Sequence, residues 1–304
     1  MLIAQVERYV ALQRSLGLRF KEQERLLISY ACFASAAGDR FVMTERIRAW
    51  SGEANSPGRA RVRYDTARRF AAFSMAEDSR HEVPPAGAFG RGRRPRPAPY
   101  LLSLDEIAAV MIAALDVPPK GTVSPLTYHH LFGLLAATGL RISEALALKC
   151  DDLTDDGLIV RNGKFGKDRL IPLHPSTRAA LDRYLVARNR LGAAGDDLFV
   201  VKHGRAPSKV RVYCVFVHLA RALGIRGAPG TRGPRLHDLR HSFAVRSLAA
   251  CPPDRTAVTR HMLALSTYMG HADVAATYWY LQATPVLLSG IAAAAERAFA
   301  GGVA

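Results

Sequence analysis

Residues 83–99 read VPPAGAFGRGRRPRPAP, and this stretch limits the folds open to the chain more than any other. Proline fixes φ and has no backbone N–H, so neither a helix interior nor a central strand continues through such a run. The stretch reads as an extended linker, made basic by Arg91, Arg93, Arg94 and Arg96. It divides a chain of 304 residues into two parts, each long enough to bury a core.

The first part, residues 1–82, places apolar residues at helical spacing. Leu2, Val6, Tyr9, Val10 and Leu12 make one stripe, and Leu26, Leu27, Tyr30, Phe33 and Ala34 make a second. A short third helix runs from Met43 to Trp50, opened by Thr44 with Glu45 in its first turn. A fourth spans Arg61 to Met75, with Tyr64, Ala67, Phe70, Ala71 and Phe73 on its apolar side. This is a small four-helix domain. Arg59, Arg61, Arg63, Arg68 and Arg69 crowd the last helix, either to meet a DNA backbone or as a solvated face.

From Tyr100 the pattern is globular again. SLDE at 103–106 is a capping box and predicts a helix through Ala114. Tyr128 to Ala137 is apolar enough to be buried. GLIV at 157–160, the turn NGKFGK and DRLIPL form a hairpin, the one sheet the pattern predicts. Helices are expected at 175–191, 208–223, 237–250, 256–269 and 273–282, and an amphipathic Ala-rich helix ends the chain. The expected fold class is mainly α with a small antiparallel β-sheet.

Charge narrows the function. Lys and Arg total 42 against 26 Asp and Glu, a formal net charge of +16. Arg outnumbers Lys 35 to 7. A GC-rich genome explains arginine over lysine but not the shortage of acids, so a polyanion such as nucleic acid is the expected partner. Cys32, Cys150, Cys214 and Cys251 form no CxxC pair and read as small buried apolar residues rather than metal ligands or disulfides. The N-terminus is charged too early for a signal peptide, and no apolar run reaches bilayer length. A cytoplasmic protein with no membrane partner is expected.

Four stretches hold candidates for chemistry. ATGLRISEALALKCDDL puts Arg141 behind a glycine turn, at the start of a helix continuing through Leu148, where it can meet a phosphate. NGKFGKDR places Lys164 and Lys167 at a hairpin tip, from which a lysine can deliver a proton. HDLRHSFAVRSL sets His237 and Arg240 three apart on one helical face, with His241 pointing elsewhere. YMGHADVAATYWYL brings His271 after a glycine, then Asp273 as an N-cap and the cluster Tyr278, Trp279 and Tyr280. Each segment alone is equally compatible with ordinary surface residues.

Together, in this order and spacing, they resemble the tyrosine recombinases, the phage-integrase type of site-specific recombinase. The likeness is strong over 100–285, and the N-terminal helices resemble the family's SAM-like core-binding domain in pattern only. The resemblance implies an organisation of 1–82 as core-binding domain, 83–99 as linker, 100–285 as catalytic domain, and 286–304 as a C-terminal element exchanged between protomers or packed in cis. It implies that DNA is cut and rejoined through a 3′-phosphotyrosyl intermediate without metal, ATP or other cofactor. Arg141 and Arg240 would clamp the non-bridging phosphate oxygens, with Glu144 orienting Arg141. Lys164 would protonate the 5′-oxygen, Lys167 being the fallback. His237 would act as base or phosphate donor, and His271 would complete the ring. A tyrosine nine residues after His271 is Tyr280; Tyr278 lies about 200° away around a helix and cannot face the same phosphate. DNA contacts are expected from Arg61, Arg68, Arg69, Arg93, Arg94 and Lys167. The implied assembly is a homo-tetramer on two DNA duplexes, serving integration, excision or resolution of a mobile element in a bacterium. A catalytically inactive DNA-binding relative and a type IB topoisomerase-like relaxing enzyme are the competing readings.

Overall fold

The computed structural model describes residues 2–90, 99–161, 168–202, 204–251 and 255–270. The chain divides into two compact units, Met1–Arg96 and Pro97–Ala304. No helix among the described residues is long and apolar enough to cross a membrane.

The first unit holds four helices, α1 (Leu2–Ser15), α2 (Lys21–Ala36), α3 (Thr44–Gly52) and α4 (Pro57–Glu77). Helix α4 starts a turn earlier than periodicity predicts. Ser56 caps it by accepting from the Arg59 amide, and Pro57 occupies the first turn, where its missing N–H costs nothing. The core gathers Tyr30, Trp50, Tyr64 and Phe70, each at most 2% exposed. Leu12 departs from its predicted stripe and is exposed.

Residues 83–90, read from the sequence as part of an extended linker, turn at 86–89 and pack against the helical core. Val83 and Phe89 pack against the helical core, the Tyr64 hydroxyl donates to the Pro85 carbonyl at 2.9 Å, and Arg68 Nε donates to the Pro84 carbonyl at 3.0 Å. Proline barred regular structure here, but its carbonyls remained free to be captured by side chains. Residues 91–98, with Arg93 and Arg94, lie outside the described residues.

The second unit runs α5 (Leu104–Ala114), α6 (Val123–Thr138), α7 (Ile142–Ala145), a 3₁₀ turn, β1 (Leu153–Thr154), β2 (Gly157–Val160), β3 (Arg169–Ile171), α8 (Pro175–Arg190), α9 (Lys209–Ala222), α10 (Asp238–Ala249) and α11 (Arg255–Met269). Ser103 and Glu106 form both halves of the capping box at α5. Helix α6 is apolar on every side because α5, α8 and α10 all pack against it. Burying side chains such as Leu131 and Phe132 there is worth about 1.5–3 kcal/mol each. The sheet is antiparallel, with Leu158 opposite Ile171 and Val160 opposite Arg169. A third strand, β1, adds Leu153 opposite Leu158. Two residues are too few to announce a strand by alternation, so the pattern missed it.

Three expectations change. The helix after Arg141 stops at Ala145 rather than Leu148; beyond it the Leu148 carbonyl accepts from the Leu198 amide, and the Cys150 amide donates to the Asp196 carbonyl. None of the four cysteines is fully buried, and Cys32 and Cys214 are exposed. On α9, Val212, Val215, Phe216 and Leu219 face the core, which turns Cys214 outward. The third change, at His241, belongs to the site.

Helices α10 and α11 share a small apolar cluster that includes Val245, Leu248, Met262, Leu265 and Met269. It fixes the C-terminal end of α11, where the charged residues converge.

Candidate active site

Helix α6 ends at Gly139, which caps it in the left-handed region at φ 62°. The turn throws Arg141 into the N-cap position of α7 in an extended conformation. Glu144, three residues on, accepts from the Arg141 amide at 3.0 Å and from Nη1 at 2.8 Å. The carboxylate is nearly buried, which removes the reading of Glu144 as an ordinary surface acid. Arg141 Nη2 donates to the Gly270 carbonyl at 2.9 Å.

Arg240 reaches the same place from α10. It is 2% exposed; Nη1 donates to the Gly139 carbonyl, and Nη2 to the Met269 carbonyl at 2.8 Å. Arg141 and Arg240, 99 residues apart, are therefore tied to adjacent carbonyls at the end of α11, one residue before His271.

A residue the sequence reading did not single out completes the cluster. Arg169, first in β3, donates to Glu144 through Nη1 at 3.2 Å and Nη2 at 2.9 Å, and through Nε to the Tyr268 carbonyl at 3.0 Å. A signal was available. Arg169 and Ile171 share one face of a strand, and an arginine on the face of a buried isoleucine needs a carboxylate partner. Burial alone would raise the Glu144 pKa, but the hydrogen bonds from Arg169 and Arg141 outweigh it and hold the carboxyl down at about 2. The group is a carboxylate at neutral pH.

His237 stands at the N-terminus of α10 with one edge exposed to solvent. The protein around its other side, then the charge of Arg240, lower its pKa to about 4, so the ring is neutral at pH 7. His241 does not point away as expected. One turn on, it packs edge-to-face on His237 with ring centroids 4.5 Å apart. The i, i+4 spacing along α10 produces that contact. Buried Asp238 accepts from the Arg235 amide and guanidinium and lies 3.9 Å from His241.

A cavity of about 230 Å³ opens beside these residues, lined by His237 and Arg240 together with Arg235, Lys209 and Tyr213. Lys209 and Tyr213, in the first turns of α9, went unremarked in the sequence because their segment carries no turn or motif. Tyr268 packs against Phe243, and burial pushes its pKa up to about 12, so it is a poor source of phenolate.

Of the sequence candidates, the structure brings together Arg141, His237 and Arg240. Lys164, Lys167, His271 and Tyr280, with Tyr278 and residues 286–304, lie outside the described residues. In the helical unit Arg69 is exposed, Arg61 lies 3.6 Å from Asp65, Arg63 packs over Trp50, and Arg68 is engaged by Pro84. Among the described residues no cluster of three or more His, Cys, Asp or Glu could hold a metal.

The model of the phage integrase family matches residues 102–285. The chain belongs to the phage integrase family. Integrases and recombinases recur among its relatives. A Sinorhizobium fredii protein, y4rB, named as an integrase/recombinase, is 39% identical and covers 93% of each chain. The tyrosine recombinase XerD of Caulobacter vibrioides is 32% identical over 74% of this chain and 70% of its own. The fold agrees with a lambda integrase dimer bound to a core site, at TM-score 0.63 and 21% identity, over 92% of this chain and 76% of that one. It agrees with XerH bound to its difH substrate at TM-score 0.64 and 18% identity, over 92% and 82%. This family member is accordingly a site-specific recombinase, an enzyme that cleaves and rejoins DNA.

Proposed function

We propose that the scissile phosphate of a DNA duplex binds against Arg141 and Arg240 and is attacked by the Tyr280 phenolate, leaving a 3′-phosphotyrosyl ester and a 5′-hydroxyl. One observation carries this reading: the guanidinium groups of Arg141, Arg169 and Arg240 converge on three successive carbonyls at the end of α11, Gly270, Tyr268 and Met269. Guanidinium groups gathered at one point and held there by the protein make a ready-made site for an anion with several oxygens. A phosphodiester supplies that anion. As negative charge grows on the pentacoordinate phosphorus, preorganised donors stabilise it without reorganisation.

Neutral His237 can accept a proton or donate one hydrogen bond to a phosphate oxygen. Lys164, with Lys167 as the fallback, protonates the leaving 5′-oxygen, and His271 completes the anion site. The ester keeps the energy of the broken bond, so a second strand's 5′-hydroxyl can replace the tyrosine and rejoin the DNA. Lambda integrase is known as a dimer on a core site and as a tetramer on a Holliday junction. We extend the tetramer on two duplexes to this chain, with residues 286–304 linking protomers and a mobile element in the bacterial chromosome as its substrate. Residues 1–82 would grip the core site through Arg61 and Arg69, with Arg93 and Arg94 of the following segment against the backbone.

The test uses nicked duplexes spanning the DNA on either side of the gene. A covalent adduct that survives SDS, is lost in Tyr280→Phe and persists in Tyr278→Phe is expected. An adduct unaffected by Tyr280→Phe would overturn the assignment. Relaxation of supercoiled DNA without strand exchange would replace recombination by a topoisomerase reaction.

A further inference from the structure

The last three carbonyls before the segment bearing His271 are each held by a different arginine. Tyr268 accepts from Arg169, Met269 from Arg240 and Gly270 from Arg141. These are the carbonyls a helix end leaves without intrahelical partners, and they carry the negative pole of α11. The arginines arrive from β3, α10 and the turn before α7, so three elements are locked to one helix end. Gly270 is left-handed at φ 64°, and a Cβ there would stand 3.1 Å from Arg169 Nη1 and 3.4 Å from Arg141 Nη1. The guanidinium groups lie where any side chain at position 270 would intrude.

Arg141 and Arg240 are accounted for by the phosphate they are proposed to bind. Arg169 is not. Its Nη atoms are both spent on Glu144 and its Nε on the Tyr268 carbonyl. We infer that Arg169 is a positioning residue for strand cleavage: it bridges Glu144 to the C-terminal end of α11, and so fixes both the fork of Arg141 and the point from which the His271 segment departs. The inference rests on the proposed roles of Arg141 and His271.

The geometry explains why the residue is arginine. Three donors in a rigid planar fork reach both oxygens of one carboxylate and a carbonyl beyond them; a lysine ammonium matches the charge but not the span. Without Arg169, Glu144 turns its whole charge on Arg141, and the Tyr268 carbonyl loses its partner. Arg169 also opens β3 five residues after Lys164 in sequence, which offers a rival route for its influence: holding the proposed general acid.

The experiment measures single-turnover adduct formation on the nicked flanking-DNA duplexes, with DNA affinity and melting temperature from the same preparations, for wild type, Arg169→Met and Arg169→Lys. The expected result is a fall in the cleavage rate of about 30- to 300-fold for Arg169→Met, with DNA affinity changed less than threefold. Arg169→Lys is expected to recover only a small part of the rate, although it melts close to wild type. A duplex with sulfur in place of the 5′-bridging oxygen then separates the two routes, because a thiolate leaves without protonation. Arg169→Met is expected to remain slow on it. Restoration to the wild-type rate would overturn the inference in favour of an effect through Lys164. A wild-type rate in folded Arg169→Met would overturn it outright, while adduct formation by the wild type leaves the functional reading intact. If even wild type forms no adduct, the functional reading fails and the inference falls with it.

Discussion

Gly139 lies so close to the ring of Phe243 that a Cβ at position 139 would stand 2.4 Å from Cδ1. The same glycine is left-handed at φ 62°, ends α6, and offers its carbonyl to Arg240. One residue thus sets the direction of Arg141, the packing of α10 and a hydrogen bond of the second arginine.

Gly139→Ala is therefore expected to destabilise the second unit by about 2–4 kcal/mol, from the left-handed penalty and the overpacking together. Urea unfolding reads this directly. Gly139→Ala combined with Phe243→Leu should recover the overpacking part and leave the backbone part. Full recovery would show that φ at position 139 is unconstrained.

Glu144 gives an acid signature. Its folded pKa of about 2 lies below the ordinary 4.5, so the stability it contributes is complete above pH 4.5 and is lost as pH falls through 2. The amount is on the order of 2–3 kcal/mol. Melting curves between pH 2 and 7 should show this loss in wild type and not in Glu144→Gln, which starts less stable at neutral pH because two partly buried arginines, Arg141 and Arg169, have lost their counter-charge. Parallel curves would refute the pairing.

His237 is expected to titrate near 4 rather than 6.5 in free protein. The sign follows from the depressed value: the neutral ring's contribution to stability is intact above pH 6.5 and disappears as pH falls toward 4. A DNA phosphate alongside should raise the value, since an anion favours imidazolium. NMR titration of the ring protons with and without duplex checks both statements; an unshifted pKa near 6.5 in the free protein would contradict the packing around the ring.

Arg141 and Arg240 should fail differently under conservative change. Arg141→Lys keeps the charge but loses the two-point contact with Glu144 and Gly270, and the cleavage rate should drop about 10²- to 10³-fold. Arg240→Lys should lose stability as well, because its buried carbonyl acceptors at Gly139 and Met269 are left unpaired. If both arginines bind one phosphate, as proposed, the double variant should cost much less than the product of the single effects.

Local rules carried far into this chain. Periodicity, the SLDE capping box, the hairpin pattern and the glycine before Arg141 gave the helices, the small sheet and the order of the motifs, because each depends on residues within a turn or two of one another. The same rules failed at Pro84 and Pro85, whose carbonyls are held by Arg68 and Tyr64 of α4. They failed at Cys214, where the neighbours on α9 decide which side faces water.

The sequence by itself determined that a basic, mainly helical chain carries separated arginines and histidines in the order of an integrase. Only the tertiary structure decided that Arg141 and Arg169 share the Glu144 carboxylate and that, with Arg240, they hold three successive carbonyls. No local pattern encodes that meeting. It arises because β3, α7 and α10 meet at one end of α11, whose unpaired carbonyls, together with the buried Glu144 carboxylate of α7, draw in donors from across the chain.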